Sequence, residues 1–280
     1  MLNEYKAHVD ERAEQNIPPL PLDADQTAKL VDLLKSEHEE SDFLIHLLKE
    51  RVPAGVDQSA YVKAAFLADI TTGKTKSPYI NKVEAVEILG TMLGGYNIAP
   101  LIECLKIDEL GDAAADALST TLLIFDAFNE IFDLSKSNEF AKRVVQAWAD
   151  GLWFTSKPDV PDTIKLTVYK VSGEINTDDL SPATDAWSRP DIPLHALAMF
   201  KMPREGLDTP LETIEELKKK GNPLAFVGDV VGTGSSRKSA TNSVLWHMGD
   251  EIPCIPNKLS LIHISEPTRR YAISYAVFCL

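Results

Sequence analysis

Residues 232–239, Gly-Thr-Gly-Ser-Ser-Arg-Lys-Ser, hold the densest set of chemically capable groups in this chain. Two glycines allow close approach to the backbone, four hydroxyls can donate and accept, and Arg237 adds a permanent cation. The apolar run Leu-Ala-Phe-Val-Gly-Asp-Val-Val over residues 224–231 precedes them and reads as a buried strand. A helical pattern over 235–248 follows. A strand–turn–helix of this kind aims backbone N–H groups at an anion. Arg237 can grip a carboxylate or phosphate there through two parallel hydrogen bonds.

Spacing alone leaves three readings open. A Walker phosphate loop requires G-x-x-x-x-G-K-S and a dinucleotide loop requires G-x-G-x-x-G. Arg237 stands where each needs its last glycine. The third reading is a structural turn with a serine at the helix N-cap.

The surrounding elements must position this loop. Beyond residue 160 the pattern is α/β. Residues 163–171 alternate apolar and polar side chains and predict a strand. Residues 193–200 and 210–220 predict helices, the second opening on Pro210, a normal first helical residue. Upstream, the pattern is helical. Asp25 is placed to cap a helix with an apolar stripe of Ala28, Leu30, Val31, Leu33 and Leu34. Further helices are expected over 42–52, ended by Pro53 and Gly55, over 59–70, from a cap at Asn81 to Gly94, and over 98–105, 112–128 and 139–153. Such a row of short helices points to a helical-repeat domain, with a plain helical bundle as the alternative. Pro158 and Pro161 mark a linker.

Composition bounds the function. The 280 residues carry 28 Lys and Arg against 42 Asp and Glu, a formal charge of −14. Residues 1–158 hold 15 basic and 26 acidic groups, and residues 159–280 hold 13 and 16, so the acidity lies mostly in the helical half. This balance disfavours a general nucleic-acid binder but allows a small anion in a locally basic pocket. The length suits two domains, and 44% apolar residues are enough for two cores. No apolar run is long enough to span a membrane, and the charged N-terminus does not read as a secretory signal. Cys104, Cys254 and Cys279 form no C-x-x-C pair, which suits a reducing, cytoplasmic compartment.

Longer motifs favour one reading of the loop. G-T-G-S-S-R after an apolar strand is similar to the G-x-G-S-S-R loop of the aconitase superfamily. Residues 176–183, Asn-Thr-Asp-Asp-Leu-Ser-Pro-Ala, look like that superfamily's T-D-x-I/L-S segment. The stretches DAWSRPDIPLHALAM and PLAFVGDVVGTGSSRKSATNSVLW narrow the resemblance to the aconitate hydratase B type. It runs from residue 1 to about residue 258. It implies a multidomain α plus α/β chain: a HEAT-like helical-repeat domain over 1–158, then a truncated aconitase swivel domain over 159–258. By the same resemblance, Ser235 matches the catalytic base. Ser236, Arg237 and Arg189 match substrate-binding positions, and Asp178 is a candidate for the active-site network.

The implied activity is that of a hydro-lyase of the tricarboxylic acid cycle. It interconverts citrate and isocitrate through cis-aconitate and also dehydrates 2-methylisocitrate. The implied cofactor is a [4Fe–4S] cluster, whose ligands are expected outside this fragment, so the fragment alone is expected to be inactive. The resemblance also implies a homodimer formed through the helical domain and, in some members, mRNA binding. The charge of the helical half weighs against the latter. Two readings from other classes are a helical interaction or dimerisation module and a free-standing anion-binding protein built on residues 232–237.

Residues 259–280, LSLIHISEPTRRYAISYAVFCL, leave the family pattern abruptly and look like a translated sequencing adapter, so this tail is expected to be non-native. Among the remaining candidates, His195 is expected to be a packing group at a helix start, and His247 a surface or core residue. Cys104 and Cys254 are expected to pack as small apolar groups.

Overall fold

Short polar side chains cap the starts of six helices among the described residues. The computed structural model describes residues 1–121, 124–156 and 162–249, in two compact units. One unit contains Met1–Glu4 and residues 20–156; the other contains Tyr5–Pro19 and residues 162–249. The first helix, α1 (Leu2–Ala13), therefore belongs to the second unit from Tyr5 onward.

In the first unit, α2 (Ala24–Leu34) is capped by Asp23 rather than by Asp25. Asp23 Oδ1 accepts from the Gln26 amide at 2.7 Å, and the Gln26 side chain accepts from the Asp23 amide at 3.1 Å. This reciprocal box satisfies two orphan donors, which Asp25, one residue inside the helix, has no partner to match. α3 (Ser41–His46) runs into a π-helical turn over Leu47–Arg51. α4 (Gln58–Thr71) is capped by Asp57, and α5 (Lys82–Gly90) by Asn81 with Glu84 closing the box. α6 (Ile98–Cys104) and α7 (Asp108–Ser119) follow.

The helix expected over 112–128 is divided. Ser119 Oγ and Thr121 Oγ1 bond back to the carbonyls of Ala115 and Ala117, competing with helix continuation. Leu122 and Leu123 lie outside the described residues, and the next helix, α8 (Ala127–Leu134), begins beyond them. α9 (Glu139–Ala149), capped by Asn138, stops before Gly151, whose φ of 65° is left-handed, so α10 (Leu152–Thr155) is a separate turn.

α2 packs on α4, α4 on α5, α5 on α7 and α7 on α9. Leu30, Leu34, Leu67, Leu89, Leu101 and Leu118 are fully covered. Cys104 is buried as expected of a small apolar group, and burial pushes its thiol pKa up. Cys254, Cys279, the tail 259–280 and the linker around Pro158 lie outside the described residues.

The second unit is α/β. β1 (Thr167–Asn176) and β2 (Leu224–Thr233) pair in parallel. Pairing begins at Thr167, whose amide donates to the Pro223 carbonyl at 2.9 Å, so residues 163–166 precede the strand expected to include them. Beside α1, the unit contains α11 (Thr177–Leu180), α12 (Ile192–Ala196), α13 (Pro210–Lys218) and α14 (Arg237–Met248). α12 is shorter than expected because the chain turns at Phe200, whose φ is 57° and whose amide donates to the Asp179 carbonyl. The Phe200 ring stacks on Phe226 within a core that includes Tyr169, Ile175, Ile214 and Val244. β2 is less buried than its apolar run predicts. Among the described residues it pairs only with β1, and Val230 is half exposed.

Asn97 offers a direct check on the helical unit. It is 1% exposed, and its Nδ2 donates to the carbonyls of Leu89 and Met92 at 2.9 and 3.0 Å, closing the C-terminal end of α5. Asn97→Ala should lower stability by about 1–3 kcal/mol by leaving both carbonyls unsatisfied. Urea unfolding followed by tryptophan fluorescence measures this.

Candidate functional site

The two parallel strands end side by side, with Asn176 opposite Thr233. The segment after β1 and the loop after β2 therefore leave one sheet edge together. This is the carboxyl end of the strands, where open α/β sheets bind ligands. Asn176 caps α11: its Oδ1 accepts from the Asp178 amide at 3.0 Å, and Asp179 Oδ2 accepts from the Asn176 amide at 2.8 Å. Across the strand ends, Thr233 Oγ1 donates to Glu174 Oε1 at 2.7 Å.

The closest approach is at Gly234. Its φ is +108°, and a Cβ there would lie 2.4 Å from Thr177 Oγ1 and 3.0 Å from Asn176 Oδ1. The glycine is thus required twice, by backbone conformation and by the neighbouring α11 cap.

The loop's functional groups are uncommitted. Ser235 is exposed and makes no hydrogen bond among the described residues. Ser236 is the N-cap of α14 but makes no side-chain cap bond, so the first amides of that helix are left without one. Arg237 is exposed, with only a long 3.4 Å contact from Nε to the Gly234 carbonyl. Asp178 is also exposed, and its Oδ1 accepts from the Ala183 amide at 3.3 Å.

Strand pairing brings the Asp178 segment and the 232–237 loop together; Arg189 arrives separately. It lies just before α12, Nη1 donates to the Leu194 carbonyl at 3.1 Å, and Nε is 3.5 Å from Asp185 Oδ1. Among the described residues it makes no polar contact with the loop, although α11 and α12 both pack on α14. His247, on α14, donates from Nε2 to the Ala196 carbonyl at 2.8 Å, since a carbonyl can only accept. His195 Nε2 likewise donates to the Pro182 carbonyl at 3.0 Å, in keeping with a packing role.

Several supporting residues were not apparent from sequence. Asp185 is buried and accepts from Lys201 Nζ at 2.8 Å. The Lys201 hydrogen bond, assisted by the charges of Lys201 and Arg189, holds its carboxyl below the usual range against desolvation. Asp191 caps α12 and pairs with Arg12. Burial pushes its carboxyl up, but the Arg12 hydrogen bonds, the Leu194 amide and the Arg12 charge outweigh that and hold it low. The i,i+4 spacing of Asp185 and Arg189 is a readable signal. No local pattern links Arg12 to Asp191.

Among the described residues no three His, Cys, Asp or Glu side chains converge as metal ligands, so these residues do not fit the iron–sulfur cluster implied by the resemblance. No helix among them is long and apolar enough to cross a membrane.

Residues 4–154 match the family described as Aconitate B N-terminal domain. The chain belongs to the aconitate hydratase B family. Residues 166–262 match a second family description, Aconitate hydratase 2 N-terminus, and this stretch contains both strand-end motifs. Aconitate hydratase B of Pseudomonas aeruginosa is 59% identical over 267 residues, covering 92% of this chain. The Escherichia coli and Helicobacter pylori proteins of the same name are 58% and 49% identical. The chain spans 31% of the length of the first of these curated relatives.

Two outcomes follow for the site of this family member. Gly234→Ala should destabilise the second unit by about 1–3 kcal/mol through overpacking against the α11 cap. Faster amide exchange over 176–180 and 233–237 would register it. Because Asp185 and Asp191 have lowered folded-state pKa values, the unfolded chain binds more protons in acid. Their contribution is complete above the ordinary carboxylate value and is lost as pH falls below it. The melting temperature should drop on acidification through that window, and Asp191→Asn should flatten the drop while lowering stability at neutral pH.

Proposed function

We propose that the complete enzyme carrying this segment is an aconitate hydratase. It interconverts citrate and isocitrate through cis-aconitate in the tricarboxylic acid cycle and also dehydrates 2-methylisocitrate. The observation that carries this reading is the junction of the two motifs at one strand end, sealed by the fit of Gly234 against Thr177 and Asn176. In this reading residues 1–158 form the HEAT-like domain, supported by the packing of α2 on α4, α4 on α5, α5 on α7 and α7 on α9. Residues 159–258 form the swivel domain, acting in a reducing cytoplasm. The helix row would also serve self-association.

This segment's share of the elimination is proton removal and carboxylate anchoring. Ser235 Oγ takes the proton from the substrate carbon beside the one bearing the hydroxyl. The C–H electron pair becomes the new double bond as the hydroxyl leaves. A serine hydroxyl is a poor base near neutral pH, so its alkoxide must be stabilised by donors and positive charge. The uncapped amides at the start of α14 and the Arg237 guanidinium supply both. Arg237, Ser236 and Arg189 hold substrate carboxylates, which suit the planar fork of arginine. Asp178, fixed through the Ala183 amide, orients the network around them.

In the complete enzyme, Ser235→Ala should lower kcat by roughly 10²–10⁴-fold while citrate KM changes far less. Steady-state kinetics and citrate binding measure the split, and near-normal kcat would remove Ser235 from the mechanism.

A further inference from the structure

α1 and the Arg189 turn belong to the same compact unit, and a buried ion pair ties them together. Arg12, near the C-terminal end of α1, is 6% exposed. Nη1 donates to Asp191 Oδ2 at 2.9 Å and Nη2 to Oδ1 at 2.8 Å, a two-pronged pairing between residues 179 positions apart. Nε donates to the Pro18 carbonyl at 2.9 Å, which fixes the plane of the guanidinium. Such geometry suits a buried pair, where a misaligned partner would leave charge unpaired.

Asp191 has a second task. Its Oδ1 also accepts from the Leu194 amide at 3.1 Å and so caps α12. Leu194 is the joint. Its N–H is bound by the carboxylate that Arg12 orients, and its carbonyl accepts from Arg189 Nη1. Arg12, Asp191, Leu194 and Arg189 form one chain of hydrogen bonds.

We propose that Arg12 is a positioning residue for the substrate arginine Arg189, acting through Asp191 and the first turn of α12. The inference rests on the reading of Arg189 as a substrate-carboxylate anchor. Without Arg12, Asp191 keeps only the amide cap in a half-buried site. The first turn of α12 then loosens, and Arg189 loses the fixed carbonyl that aims it.

The test uses the complete enzyme with Arg12→Gln, Arg12→Lys, Arg189→Lys and the double variant Arg12→Gln/Arg189→Lys. Arg12→Gln should raise citrate KM on the order of tenfold with a much smaller change in kcat. Arg12→Lys, which keeps the charge but not the fork, should fall between it and the unaltered enzyme. The double variant should raise KM no further than Arg189→Lys alone, because both act on one contact. Unchanged KM in Arg12→Gln beside a raised KM in Arg189→Lys would overturn the coupling and leave the substrate role of Arg189 standing, as would additive effects in the double variant. Unchanged KM in Arg189→Lys would remove that substrate role and this inference with it. If Arg12→Gln does not fold, Arg12→Lys carries the test: a raised KM that disappears in the Arg189→Lys background supports the coupling, and an unchanged KM overturns it.

Discussion

The parallel register of β1 and β2 is the constraint on which the site depends. Thr167 pairs with Leu224 and, nine residues later on both strands, Asn176 pairs with Thr233. Between those points the register shifts twice. An extra residue bulges from β1 between Val171 and Glu174, and a second irregularity between Ile175 and Asn176 restores the alignment. Side chains alternate faces along a strand, so an uncompensated slip would turn Ile175 out of the core and carry Asn176 away from Thr233. Named groups hold the first bulge. Gly173 has a φ of +82°, its amide donates to Asp229 Oδ2 at 2.7 Å, and Arg204 donates to the carbonyl of Ser172 at 3.0 Å. The polar ring around the bulge is therefore part of the machinery that brings two distant motifs to one edge.

The helices attached to that edge have contrasting beginnings. α11 is fully capped by the Asn176–Asp179 box, which makes it a rigid wall for Gly234. α14 begins at Ser236 with no side-chain cap. A helix start left open next to a fully closed one concentrates unsatisfied donors on one side of the junction, where a carboxylate would be welcome.

Much of this could be read from sequence, for physical reasons that differ by element. Asn81, Pro210 and the apolar stripe of Leu30, Val31 and Leu34 act within one or two turns, so their signals are local and survive folding unchanged. The helix break after Ser119 is not legible in sequence because hydroxyls that bond back to carbonyls resemble ordinary helical polar residues. The β1 boundary is not legible in sequence because it is set by where Leu224 lies on the partner strand. Resemblance points to Arg189, but its aiming is not legible in sequence, since it depends on Lys201 and Asp185 across a turn and on Arg12 in the first helix.

A last question is how an acidic chain presents a site to anionic substrates. The formal charge is −14, and carboxylates surround the junction. Three are paired with cations, Asp185 with Lys201 and Arg189, Asp191 with Arg12, and Asp179 with Arg204, while Glu174, Asp178 and Asp229 accept from the Thr233 hydroxyl and the Ala183 and Gly173 amides. Paired in this way, those acids fix backbone and arginine geometry without adding much field of their own at short range. Arg237 and Lys238 lie exposed beyond them at the open start of α14. The site's polarity is thus set by which charges remain uncommitted, and the net charge of the chain is a poor guide to it.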